Sequence, residues 1–426
     1  MTIAAPPSPA LPLAGVRVLD LSRVLAGPWC TQTLADLGAD VIKVERPASA
    51  ASSGGDDTRG WGPPFLKDRN GDDTAEAAYY LGTNRNKRSI TVDIAHAQGQ
   101  ALIRKIALQS DVFVENYKVG DMARYGLDFA SLHALNPRLV YCSITGFGQT
   151  GPYRERAGYD YAIQGMGGLM SVTGPSRAEI ADDASGGGPQ KVGVAVADLF
   201  TGMYACTAIL AALRHRDQSG QGQYIDLGLL DSQVAWLVNI GLNYLTSGEV
   251  PQRVGNAHPN IVPYDVMPAA DGFVILAVGN DGQFAKFCQF AGAPELAADP
   301  RFVTNDARVR NRVELYGLLP ALTRRKRQAE WVDGLARLGV PCSPVNNVDQ
   351  VFADPQVQAR GMQIALAHPL AGKGTVDLIG NPIKLSETPV TYRRPPPTLG
   401  QHTEEVLREL GLGEAEIAAL KAEGAI

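Results

Sequence analysis

Asp198 is the residue whose type and setting speak most directly of chemistry. It closes the small apolar run 192–197 and stands at the head of a nearly charge-free stretch, residues 199–215. Ala, Leu and Ile on both faces of that stretch predict a buried helix with Asp198 at its N-cap, where backbone N–H groups and the helix dipole favour an anion. Two readings stay open: a structural cap, or a carboxylate that does chemistry. Upstream, Tyr159 and Asp160 offer a donor and a second carboxylate among glycines, a pattern that also suits a helix start packed closely on its neighbour. Basic residues gather on the early loops as Arg23, Arg46, Arg85, Lys87, Arg88, Lys118 and Arg124. Arg and Lys at strand ends suit a phosphorylated ligand, although short charge runs are also ordinary solvated faces. His258 sits in a polar loop, residues 253–260. No GxSxG elbow is present, which leaves a serine hydrolase without a nucleophile. The five cysteines stand singly and the histidines lack ligand spacing, so no metal site is expected and a reducing, cytoplasmic setting is.

Alternating strands and helices must position these groups. Residues 16–21, 41–45, 89–94, 111–115, 139–145 and 223–229 read as strands, with helices at 29–37 and 97–109 and helical turns near 119–135. Repeated β-α-β units predict an open, Rossmann-like, mostly parallel sheet, an α/β fold whose ligands lie beyond the carboxyl ends of the strands. The loops after those strands carry Arg23, Leu25, Ala26, Arg46, Asn116, Tyr117 and Lys118. The first of them lacks GxGxxG, which argues against a dinucleotide. Residues 173–190, rich in Gly, Ser, Pro and Asp, read as a flexible loop or lid. The expected domains are a large α/β domain begun by 13–230, a linker helix at 231–247, a small α+β domain at 248–340, and a C-terminal piece, 341–426, that completes the large domain.

At 426 residues the chain exceeds one typical core, and 39 basic against 44 acidic residues leave no nucleic-acid footprint. No apolar segment is expected to reach the length of a membrane span. Residues 1–12 read as a leader that is neither a secretory signal nor a transit peptide.

Taken in order, the motifs at 15–20, 25–28, 37–47, 86–90, 114–117, 136–141, 146–152, Asp198 and 399–403 resemble the class III CoA-transferases, the CaiB/BaiF family. Residues 61–65, 157–160, 256–258, 261–264 and 394–397 look most like the branch that moves CoA from succinyl-CoA to glutarate. The resemblance implies that Asp198 is the nucleophile, passing through an aspartyl anhydride and an aspartyl-CoA thioester. It implies that Leu25, Ala26, Arg46, Asn116, Tyr117, Lys118 and Arg124 bind CoA, that Tyr159 and Asp160 flank the reaction, and that acyl-CoA is a substrate with no permanently bound cofactor. Arg85 and His258 are candidates for the acceptor's distal carboxylate or the phosphates. An interlocked homodimer is implied as well. Two departures narrow the reading. The glycine-rich active-site loop of formyl-CoA transferases is replaced by residues 255–259, which disfavours oxalate. The Gly-His-Asp of the family's racemases is Gly158-Tyr159-Asp160 here, and a phenol is a poor base at neutral pH. An α-methylacyl-CoA racemase, transfer to another carboxylate (mesaconate, citramalate, itaconate, carnitine, formate or oxalate) and a CoA-binding regulatory protein are the alternatives.

Overall fold

The computed structural model describes residues 11–49, 52–176 and 187–426. The segment 1–10 of the expected leader, and residues 177–186 of the expected lid, lie outside the described residues. The chain divides into two units, one of residues 1–168, 193–241 and 356–426, the other of residues 169–192 and 242–355.

The first unit is built on six parallel strands. They are β1 (Arg17–Asp20), β2 (Asp40–Glu45), β5 (Lys87–Thr91), β6 (Val112–Glu115), β7 (Val140–Thr145) and β8 (Tyr224–Gly228), ordered β5-β2-β1-β6-β7-β8. Between β2 and β5 the chain adds an antiparallel hairpin, β3 (Phe65–Lys67) and β4 (Asp73–Ala77), which the sequence pattern did not announce. The central strands carry apolar side chains toward both faces, as a sheet covered on both sides requires. One core layer gathers Val18, Val41, Val114 and Val140 with Leu34 and Ile209. The other gathers Leu19, Ile42, Phe113 and Tyr141 with Ile103 and Leu407. Strand order reverses direction between β1 and β6, and in such sheets the crevice at that reversal takes the ligand.

Helix α1 (Ala26–Asp36) begins three residues earlier than its pattern predicts. Pro28 falls in its first turn, where a missing N–H leaves no intrahelical bond unmade. Helix α2 (Ala97–Ala107) covers the sheet through Leu102, Ile103 and Ile106. Helices α3 (Asp160–Met166), α4 (Val196–Ser219) and α5 (Leu229–Ala235) pack on one another.

Three expectations for α4 are corrected. Its N-cap is Ala195, so Asp198 is the third helical residue. It buries only one face, through Thr201, Gly202, Ala205, Ile209 and Leu213, while Met203, Tyr204 and Leu210 are exposed. And at 24 residues it is, by length and composition alone, long enough to cross a membrane. Its apolar stripe instead lies against α1 and the sheet, where Gly202 lets the backbones approach: a Cβ there would stand 2.5 Å from the Ala26 carbonyl oxygen.

The second unit holds an antiparallel sheet of β9 (Tyr264–Pro268), β10 (Phe273–Ala277) and β11 (Cys342–Pro344), in the order β11-β10-β9. Helices Asp281–Ala291, Arg312–Thr323 and Gln328–Arg337 surround a core with Phe284, Phe287 and Trp331 at its centre.

Candidate active site

A cavity of about 580 Å³ opens in the first unit at the sheet's reversal point. Its wall is made by the loops after β1, β6 and β7 together with Asp57, Trp61, Asp198 and Leu229. Local bonds set each loop. After β1, the Arg23 N–H donates to Asn116 Oδ1 at 2.9 Å and Asn116 Nδ2 donates back to the Arg23 carbonyl at 2.7 Å, tying the first two loops together. Below Asn116, the buried Glu115 carboxylate accepts the Tyr117 N–H at 2.8 Å. Burial pushes that carboxyl up to about 7. After β7, Gly146 and Gly158 touch backbone to backbone: a Cβ on either would lie 2.6 or 2.5 Å from the other's Cα. That contact brings residues 154–159 to the cavity wall.

Asp198 is reached from the first turn of α4. The preceding N–H, on Ala197, donates to Asp160 Oδ1 at 2.9 Å, and Gln164 Nε2 donates to Asp160 Oδ2 at 2.7 Å. The helix start is therefore capped by Asp160 from α3, which leaves the Asp198 carboxylate with the cavity. Burial, and then the neighbouring Asp160 charge, raise the Asp198 carboxyl to about 7. Tyr79, in the short turn Ala78–Leu81, feels the same pair: burial first, then the charges of Asp198, Asp160 and Asp56, push its phenol up to about 12. Its ring meets Trp61 edge-on, centroids 5.3 Å apart, and Trp61 lines the cavity.

Of the residues singled out in the sequence, Asp198, Tyr159, Leu25, Ala26, Asn116, Tyr117 and Lys118 share this wall. Asp160 stands behind it as the cap. Arg46 and Arg124 lie off the lining: Arg46 Nη2 donates to Ser52 Oγ, and Arg124 pairs with Asp121 at 3.2 Å. Arg85 corrects its expectation. It is buried, and its guanidinium donates to Asp36 at 2.6 to 3.2 Å and to the Ile379 carbonyl at 2.8 Å. It is absent from the cavity lining, and its buried pairing with Asp36 suits a structural brace. His258 belongs to the second unit, where its Nδ1 accepts the Asn260 N–H at 3.1 Å. Burial and the Arg312 charge lower its pKa, which keeps the ring neutral at pH 7.

Residues that sequence reasoning missed are Trp61, Tyr79, Arg154 and Arg156. Arg156 lies over the Tyr153 ring at 3.9 Å, and with Arg23, Lys118 and Arg154 it supplies the cations of the wall. The run Arg154-Glu155-Arg156 has mixed sign, and nothing in its pattern tells a solvated turn from a wall that the Gly146–Gly158 contact draws inward. Among the described residues no cluster of three or more His, Cys, Asp or Glu is arranged to hold a metal.

The profile of CoA-transferase family III matches residues 13–403. A succinate–glutarate CoA-transferase of Agrobacterium fabrum is 52% identical over 400 residues, covering 94% of this chain and 96% of that one. A succinyl-CoA:glutarate CoA-transferase of Homo sapiens is 43% identical over 399 residues, covering 94% of this chain and 86% of the other. Among solved structures, a CaiB/BaiF family protein from Brucella suis superposes with a TM-score of 0.80 at 48% identity, over 94% of this chain and all of that one.

Proposed function

The chain belongs to CoA-transferase family III, and on that premise we propose that it moves CoA from succinyl-CoA to glutarate with Asp198 as the acyl carrier. The observation that carries this reading is the placement of the Asp198 carboxylate on the same wall as Leu25, Ala26 and the loop Asn116–Lys118.

The Asp198 carboxylate attacks the thioester carbonyl of succinyl-CoA. The C–S bond breaks, giving an aspartyl-succinyl anhydride and CoA thiolate. The thiolate then attacks the aspartyl carbonyl, forming the aspartyl-CoA thioester and releasing succinate. Glutarate attacks that thioester, expels the thiolate again, and leaves an aspartyl-glutaryl anhydride. A last attack by the thiolate on the glutaryl carbonyl yields glutaryl-CoA and regenerates the carboxylate. Every intermediate keeps an activated acyl bond, which a serine ester would not. A carboxyl raised to about 7 is more basic than an ordinary one and so a stronger nucleophile once ionised, and it is substantially ionised at neutral pH.

For CoA we assign Leu25, Ala26, Asn116, Tyr117 and Lys118 on the cavity, with Arg23 as an added cation. The exposed Arg46 and Arg124, off the cavity lining, serve the phosphate end. With Arg85 engaged by Asp36, Arg156 takes over as the candidate for the acceptor's distal carboxylate. Tyr159 and Tyr79 are the phenols beside the reaction. The working form is read as a cytoplasmic homodimer, a reading supported by the exposed apolar residues Met203, Tyr204 and Leu210 of α4.

The test offers succinyl-CoA and a panel of carboxylates to the protein and follows new CoA esters. Glutaryl-CoA formed by the wild type and lost in Asp198→Ala supports the reading. Transfer that survives the substitution refutes the nucleophile, and α-proton exchange without transfer points to a racemase.

A further inference from the structure

The loop after β1, residues 22–25, holds a conformation its own sequence resists. Val24 has φ = 70°, in the left-handed region where a β-branched side chain is a true outlier. Such strain persists only where the surroundings over-determine it. Here side chains from elsewhere grip Ser22, Arg23 and Val24 in turn. Asp20 accepts the Ser22 N–H at 2.9 Å, and Lys43 Nζ donates to the Ser22 carbonyl at 3.0 Å. Asn116 takes both backbone groups of Arg23. Asp56 Oδ1 accepts the Val24 N–H at 3.2 Å, and Asp56 Oδ2 receives Lys43 Nζ at 2.8 Å. The Lys43 and Asp56 side chains are both fully buried. Neither belongs to the cavity wall, whereas Arg23, Val24, Leu25 and Ala26 all do.

We propose that Lys43 and Asp56 are positioning residues for the CoA ester: they clamp residues 22–25 in the strained shape that the cavity needs before ligand arrives. The inference rests on reading this cavity as the CoA site. Burial alone would lower Lys43 and raise Asp56, but their mutual attraction reverses both, so the pair stays charged across the working range. Preorganisation of this kind sets affinity more than turnover, because the ordering is complete in the free protein.

Glycine adopts a left-handed φ without penalty, so Val24→Gly should replace the clamp. The experiment measures the Kd for CoA by calorimetry, and KM and kcat with succinyl-CoA, in the full chain. Lys43→Met with Asp56→Ala removes both charges together and so strands neither. We expect it to raise Kd and KM for the CoA ester about ten-fold, the size of one left-handed β-branched residue, while kcat changes less than about two-fold. Adding Val24→Gly should bring Kd back to within about three-fold of the wild type. Should the double variant fail to fold, Lys43→Met with Asp56→Asn, which keeps an oxygen for the Val24 N–H and leaves neither charge of the pair stranded, gives a smaller loss with the same rescue. A Kd that the clamp variants leave unchanged, or that Val24→Gly does not restore, overturns the proposal. Since Kd is read without turnover, absence of glutarate transfer in the wild type counts against the transferase reading alone.

Discussion

At the level of single residues, the pH behaviour of Asp198 follows from its surroundings. The proposed nucleophile acts as the carboxylate, so kcat/KM should fall on the acid side with a midpoint about 7, to be read from a pH–rate profile. The same shift affects folding with a definite sign. The folded carboxyl is raised above the value about 4 of an unfolded chain, so the folded state binds the extra proton and stability declines as pH rises through that interval. Asp198→Asn should therefore melt about 3–8 °C above the wild type at pH 8 and match it near pH 4, with activity lost at both. Arg85 makes the opposite case. Arg85→Met strands Asp36 in the interior and should cost about 3–5 kcal/mol in denaturant unfolding, with the KM of the remaining folded enzyme unaltered. Asp198 was legible because a lone carboxylate at the start of an apolar helix is conspicuous, yet the sequence misjudged its position by three residues. The capping group, Asp160, comes from another helix, and the pairing of residues 37 apart leaves no local trace.

At the level of elements, the glycine contacts set the geometry. Gly158→Ala would drive a Cβ to 2.5 Å from the Gly146 Cα, where only backbone can yield. Residues 154–159 would be pushed off the cavity wall, so kcat/KM should fall at least about ten-fold while the circular dichroism stays native. The central strands were readable from their apolar runs, whereas β5, Lys87-Arg88-Ser89-Ile90-Thr91, starts two residues before its expected 89 because Lys87 and Arg88 are polar yet buried. The hairpin β3–β4 was not: β4, Asp73-Thr74-Ala75-Glu76-Ala77, is short and polar, and its Glu76 is neutralised by a buried Arg59 at 2.7 Å. A glutamate held by a distant arginine looks in sequence like a surface residue. Arg85 misled for the same reason, since a basic run before a strand gives no sign that Asp36 lies beneath it.

For the whole molecule, the unpartnered face of α4 is the feature a single chain does not explain. Tyr204 is 43% exposed and Met203 40%, on the helix that carries Asp198. A homodimer predicts a mass twice the 45.3 kDa of one chain by light scattering, and Leu210→Glu on that face should shift it toward the monomer. The order of loops along the sheet was legible as a ligand-binding crevice. Which cations line it was not, because that depends on contacts such as Gly146 with Gly158 that close only in three dimensions. The claim on which the rest depends is that Asp198 carries the acyl group and then CoA. Hydroxylamine added during turnover with succinyl-CoA and glutarate, followed by peptide mass spectrometry, tests it most directly. The account predicts a hydroxamate at Asp198 that appears only when succinyl-CoA is present; glutaryl-CoA formation with Asp198 unmodified under trapping would contradict it.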